Sequence, residues 1–127
     1  MIKRDKLIVV TGEFNTLTYP DIKYLKACRS KGNWLIVGLS SDMFLNMNRT
    51  GEITTFEKRK EILQSLSIVD EVFAYNDLDG TSCNLLKAIK FCYPMSDITY
   101  ISDIDMHNMP ETKIRGITFE TLNKECF

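Results

Sequence analysis

The sequence predicts an α/β fold: a doubly wound, five-stranded parallel sheet with helices on both faces. Three observations carry that reading. Leu7, Ile8, Val9 and Val10 form an apolar run too short for a capped helix, and the run ends at a glycine turn, as a strand buried on both faces does. Trp34, Leu35, Ile36, Val37, Gly38 and Leu39 repeat the pattern. Between the two runs, Ile22, Leu25 and Cys28 recur every third residue as one buried helical stripe, and Gly32 supplies a stop. Two apolar strands joined by a helix make a right-handed βαβ unit with parallel strands.

A length of 127 residues suits one domain over 1–127, with a core that buries about two-thirds of the unfolded surface. Apolar residues make up 44%, charged residues 26%, and the formal net charge is −1, so nothing attracts the chain globally to nucleic acid or an anionic membrane. Residues 1–6 precede only four strongly apolar residues. That is too few for a signal peptide or membrane span, and a cytoplasmic location is expected. Cys28, Cys83, Cys92 and Cys126 form no Cys-x-x-Cys pair and His107 is the single histidine, so no zinc site is expected. The cysteines read as reduced, small apolar residues and His107 as a surface loop residue.

Beyond the second strand, residues 46–51 lack apolar periodicity and read as a loop. Thr54-x-x-Glu57 reads as a capping box opening a helix with Phe56, Ile62, Leu63 and Leu66 buried. Residues 72–75 are the third strand, followed by a turn cluster from Asn76 to Gly80. Asp77 and Asp79 miss the glycine and glutamate positions of a calcium loop, so no metal is expected there. Ser82 caps a helix carrying Leu85, Leu86 and Ile89 on one face, and Tyr93-Pro94 ends it. Residues 98–101 are the fourth strand and 116–122 the fifth.

The connection from the first strand to the first helix has the most functional content. Gly12 ends the strand where a positive φ or close backbone approach wants no Cβ. Thr18 opens the helix with Asp21 as its capping-box partner, and Pro20 in the first turn loses no hydrogen bond. Strand, glycine loop and helix N-terminus together make a potential phosphate cradle.

Residues 10–25 resemble the first motif of the cytidylyltransferase-like nucleotidyltransferases, most closely the small glycerol-3-phosphate cytidylyltransferase type. That motif reads Gly-x-Phe-Asp-x-x-His-x-Gly-His-x-x-x-Leu. Gly12, Phe14 and Leu25 match and Asn15 replaces the aspartate, while Thr18 and Asp21 stand at the two histidines and Pro20 at the glycine. Glu57, Arg59 and Leu63, then Val69-Asp70-Glu71-Val72, are similar to the family's Glu-x-Arg-x-x-x-Leu helix and the strand after it. Ser102-Asp103 matches part of its Gly-Asp-Asp turn. The last family motif, of Ser-Thr-Thr type, is expected beyond the aligned residues; an alternative alignment places Gly116-Ile117-Thr118 on it at the cost of the fifth strand. A flavodoxin-like or response-regulator layout is the runner-up, but it wants an acidic cluster after the first strand.

The resemblance implies a Rossmann-like sheet of nucleotidyltransferase type, CTP or ATP as ligand, Mg²⁺ for turnover, and commonly a homodimer. It assigns nucleotide contacts to Thr11, Gly12, Glu13, Phe14, Ser102 and Asp103, and to Arg59 either phosphate contact or bracing of the loop. Family catalysis uses the two histidines and mobile-loop lysines as donors to the transferring phosphoryl group. Here Thr18 and Asp21 occupy the histidine positions, Asn48 and Thr50 fall where close relatives carry lysines, and Arg49 is the one cation of that loop. Lys23, Lys58, Arg59, Lys113 and Arg115 remain as phosphate partners. The expected function is therefore a catalytically degenerate member kept for nucleotide binding, assembly or regulation. The alternative is an active enzyme in which Asp21 with Asp103 or Asp105 holds Mg²⁺.

Overall fold

The computed structural model describes residues 6–48, 51–106 and 108–124. Five strands form one all-parallel sheet: β1 (Lys6–Gly12), β2 (Trp34–Leu39), β3 (Glu71–Ala74), β4 (Asp97–Ser102) and β5 (Ile117–Thr121), in the order β3-β2-β1-β4-β5. α1 (Tyr19–Arg29) links β1 to β2, α2 (Asp42–Asn48) and α3 (Phe56–Gln64) link β2 to β3, and α4 (Cys83–Cys92) links β3 to β4. A 3₁₀ turn (Pro110–Lys113) precedes β5.

The apolar run in β1 dictates the two-sided packing. Successive side chains of a strand point to opposite faces, so an unbroken apolar run needs cover on both. Ile8 and Val10 pack with Tyr24, Leu25 and Cys28 of α1 and with Leu63 of α3. Leu7 and Val9 pack with Leu85, Leu86 and Ile89 of α4 on the other face. After β3 the chain crosses back over the sheet to place β4 beside β1, so the winding direction reverses between β1 and β4. Ligands of open parallel sheets bind at the carboxyl ends of the strands at such a switch point.

Several local expectations need correction. Thr54 and Glu57 do not form a capping box: the helix begins one residue later, with Thr55 at the N-cap making no side-chain cap bond. The first N–H is taken from outside, by Asp42 Oδ1 at 2.8 Å from Phe56 N, and Thr54 is engaged by Asn15. Ile62 is exposed, because Phe56, Arg59 and Leu63 take the inward stripe and leave it on the flank. Ser82 holds the N-cap position of α4, yet its hydroxyl pairs with Tyr100 rather than capping the helix. The expected loop 46–51 is helical through Asn48, and Arg49 and Thr50 lie outside the described residues, as do His107 and Cys126. Cys28, Cys83 and Cys92 are free thiols, and burial pushes the Cys28 thiol up to about 12.

Gly32 marks the one close approach that seats α1 against β1. A Cβ there would stand 2.6 Å from the Lys6 carbonyl oxygen and 2.8 Å from Ile8 Cγ1. The carbonyl cannot yield, because it accepts the Asn33 N–H at 3.0 Å. Gly32→Ala is expected to lower stability by about 1–3 kcal/mol in urea denaturation, the usual cost of overpacking.

Candidate functional site

Two adjoining cavities open at the switch point. The first, about 340 Å³, is lined by residues 11–16, Asp21, Asp103 and Lys124. The second, about 230 Å³, shares Thr11, Gly12, Glu13 and Asp103 with it and extends past Ser102, Ser82 and Tyr100 to Glu111. Of the residues assigned from the resemblance, Thr11, Gly12, Glu13, Phe14, Asp21 and Asp103 meet in the first cavity, and Ser102 lies in the second. Thr18 and Arg59 line neither.

The β1–α1 loop takes its shape from Phe14, not from a glycine torsion. Gly12 is outside the positive-φ glycines, whereas Phe14 sits at φ 46, a left-handed conformation that side chains rarely adopt. Its ring folds back over Gly12, where a Cβ would lie 2.7 Å from Cε2. The glycine thus leaves the room that the ring occupies. Asn15 then anchors the loop: its side-chain oxygen accepts Thr54 N–H at 2.6 Å and its carbonyl accepts the Thr54 hydroxyl at 3.0 Å.

Arg59 braces the same loop from beneath. Its side chain is 1% exposed. Nε donates to Thr54 O at 2.7 Å, Nη1 to Glu13 O at 2.9 Å and Ser40 O at 2.8 Å, and Nη2 to Asp42 Oδ1 at 2.9 Å. A planar fork with fixed donor directions suits such a set of acceptors, and a lysine cannot replace it. With all three guanidinium nitrogens bound to protein oxygens, Arg59 braces the β1–α1 loop.

At the start of α1, Thr18 and Asp21 turn toward each other. Thr18 donates to Asp21 Oδ2 from both its N–H, at 2.9 Å, and its hydroxyl, at 2.8 Å. Lys124, beyond β5, approaches Asp21 Oδ1 at 3.0 Å. The same ammonium lies 5.6 Å from the Phe14 ring centroid and 5.4 Å from that of Tyr24. Partial burial alone would raise the Asp21 pKa, but the Thr18 bonds and the Lys124 charge overturn it and hold the carboxyl below its ordinary value. Lys124 is the residue that sequence reasoning missed. Nothing in its local pattern distinguishes it from other surface lysines; only the return of the chain after β5, where Leu122 N–H meets Ser102 O at 2.8 Å, brings it here. Lys23, Lys58, Lys113 and Arg115 line neither cavity.

The second cavity contains a hydroxyl network. Tyr100 Oη lies 2.9 Å from Thr11 Oγ1 and 3.2 Å from Ser82 Oγ, and Ser82 N–H donates to Glu111 Oε2 at 2.9 Å. Burial raises the Tyr100 and Tyr75 pKa values, so both stay protonated and can donate. Asp77 is satisfied by the N–H and hydroxyl of Ser41 at 2.8 and 2.7 Å.

These donors do not fit a resident Mg²⁺. No group of three or more His, Cys, Asp or Glu side chains is arranged for a metal ion among the described residues. Both Asp21 oxygens are already engaged, and Asp105 lines a different hollow with Thr112 and Phe119.

An open parallel sheet with cavities at its switch point defines the class of α/β sheets that bind ligands at the strand ends. Within that class the chain belongs to the cytidylyltransferase-like family, whose model matches residues 9–119. It is 34% identical over 67 residues to the glycerol-3-phosphate cytidylyltransferase of Bacillus spizizenii, covering 53% of this chain and 52% of that one. The chain thus spans about half the length of that relative. The lipopolysaccharide core biosynthesis protein of Thermoplasma volcanium superimposes with a TM-score of 0.67 at 23% identity, covering 91% of this chain and 92% of that one. NadR in complex with NAD and AMP-PNP superimposes with a TM-score of 0.58 at 12% identity, covering 94% of this chain and 39% of that one. At these identities both structures show the shared fold. Among the described residues, no helix is long and apolar enough to cross a membrane.

Two substitutions separate brace from latch. Arg59→Met is expected to lower stability by about 3–5 kcal/mol in urea denaturation, because it strands buried carbonyls and Asp42, with Arg59→Lys recovering only part. Asp21, whose folded pKa is depressed, stabilises the fold above its unfolded value near 3.8, and the gain disappears as pH falls through the folded value. The native chain is therefore expected to exceed Asp21→Asn in stability at neutral pH and to converge with it in acid, followed by thermal melts across pH 2–7.

Proposed function

We propose that this chain binds a magnesium–nucleoside triphosphate, CTP or ATP, in the first cavity without efficient turnover, as a binding unit serving assembly or regulation. The carrying observation is the closed pair at the helix start. Thr18 and Asp21 stand where the resembled motif places two phosphoryl-facing histidines, and here the Thr18 proton is spent on Asp21. Loss of one donor to a developing oxyanion costs about 10² to 10³ in rate.

Binding is the part of the chemistry the cavity still supports. Lys124 is the cation among the described lining residues, against Glu13, Asp21 and Asp103. That balance repels a bare triphosphate and admits one whose charge is offset by the Mg²⁺ it carries. The relatives support the ligand class: one is a cytidylyltransferase by name, and the NadR structure holds AMP-PNP.

A second reading, an active nucleotidyltransferase, is favoured by the adjoining cavity. A phosphate or hydroxyl oxygen of a second ligand there would face the shared Thr11-Gly12-Glu13 edge. It would form a bond to the α-phosphorus while the bond to the bridging oxygen breaks and pyrophosphate leaves, so that positioning supplies the rate.

Calorimetric titration with CTP and ATP, each with and without Mg²⁺, tests the proposal. Mg²⁺-dependent binding of one nucleotide is expected, weakened about tenfold in Lys124→Met, the scale of one charge-assisted hydrogen bond. Pyrophosphate release with glycerol 3-phosphate present is expected at the buffer rate. Absence of binding at millimolar concentration overturns the reading, and pyrophosphate release by the native chain establishes the second.

A further inference from the structure

The second cavity has a charge pattern that the phosphorylated substrate named for the Bacillus relative does not explain. Four carboxylates line it, those of Glu13, Asp77, Asp103 and Glu111, and no lysine or arginine does among the described residues. A phosphate group in a cleft needs cationic or N–H partners, and like charges within a few ångströms oppose it.

Glu111 makes the preference specific. The residue is 3% exposed, and Oε2 accepts the Ser82 N–H. Oε1 is buried with no hydrogen-bond partner among the described residues. A buried, half-satisfied carboxylate is costly unless a donor completes it, and a donor carrying positive charge completes it best. Asp77 differs, since both its oxygens are satisfied by Ser41. Around Glu111 the Tyr100, Ser82 and Thr11 hydroxyls form a chain that can donate or accept according to the ligand. The volume of about 230 Å³ corresponds to about seven or eight waters at their liquid share of volume, the size of a small organic molecule.

We propose that the second cavity binds a small amino alcohol in its unphosphorylated, ammonium form. The ammonium group donates to Glu111 Oε1, and a hydroxyl is directed along the Thr11–Tyr100 chain toward the shared edge of the first cavity. The assignment deepens the two-ligand reading of the site and rests on the second cavity alone. It therefore stands whether or not a nucleotide occupies the first.

The test is titration of the nucleotide-free chain with 2-aminoethanol, glycerol and glycerol 3-phosphate, by calorimetry and by NMR shifts of residues around Ser82. The amine is expected to bind at least about tenfold more tightly than either of the others. Glu111→Gln keeps an oxygen for the Ser82 N–H and removes the charge; it is expected to cost the amine about tenfold or more and to leave glycerol unchanged. Ile104→Lys adds a cation at an exposed lining position, 58% accessible, with little risk to folding. It is expected to weaken the amine severalfold, and it keeps the test decisive should Glu111→Gln fail to fold. Equal binding of glycerol, tighter binding of glycerol 3-phosphate, or no binding of the amine at millimolar concentration overturns the assignment. Nucleotide titration of the same samples reports separately on the first cavity, so the two readings fail independently.

Discussion

One buried guanidinium holds the carboxyl edge of the sheet together. Arg59 reaches from α3 to Ser40 just past β2, to Asp42 of α2, to Thr54 ahead of its own helix and to the loop after β1. Glu13, Ser40 and Thr54 lie in irregular backbone, and Arg59 supplies donors to their carbonyls. A hydrophobic side chain would fill the space but satisfy none of them. The left-handed Phe14, the room its ring takes above Gly12 and the Asn15 anchor belong to the same loop, which is held from α3 as much as from β1 and α1.

The charge at the helix start has the opposite character. It is local, partly exposed and mutable. Thr18, Asp21 and Lys124 satisfy one another. The sequence offers Asp21 as a Mg²⁺ ligand in an active enzyme. The structure supplies a lysine from the far end of the chain, and the ring faces of Phe14 and Tyr24 help hold that lysine in place. Across the shared edge the second cavity is lined by four carboxylates and, among the described residues, by no lysine or arginine.

Most strands were legible because burial on both faces leaves an unmistakable apolar run, as at Leu7 to Val10, and because Leu85, Leu86 and Ile89 mark a helix face by spacing alone. The cap at Thr54 misled for a physical reason. Its signature was sound, but Asp42 and Asn15, distant in sequence, compete for the same groups and win by tertiary placement. Ser82 lost its capping role in the same way, to Tyr100.

By itself the sequence determined the class of sheet, the glycine loop after the first strand and the likeness to the family, since each is written in residues close together along the chain. Which charges face that loop was decided only by the tertiary structure. Lys124 and Glu111 carry no local signal, and at Arg59 the sequence leaves phosphate contact and bracing of the loop both open. Electrostatic partners are chosen by distance in space, and the sheet's crossover brings together residues that the sequence keeps far apart.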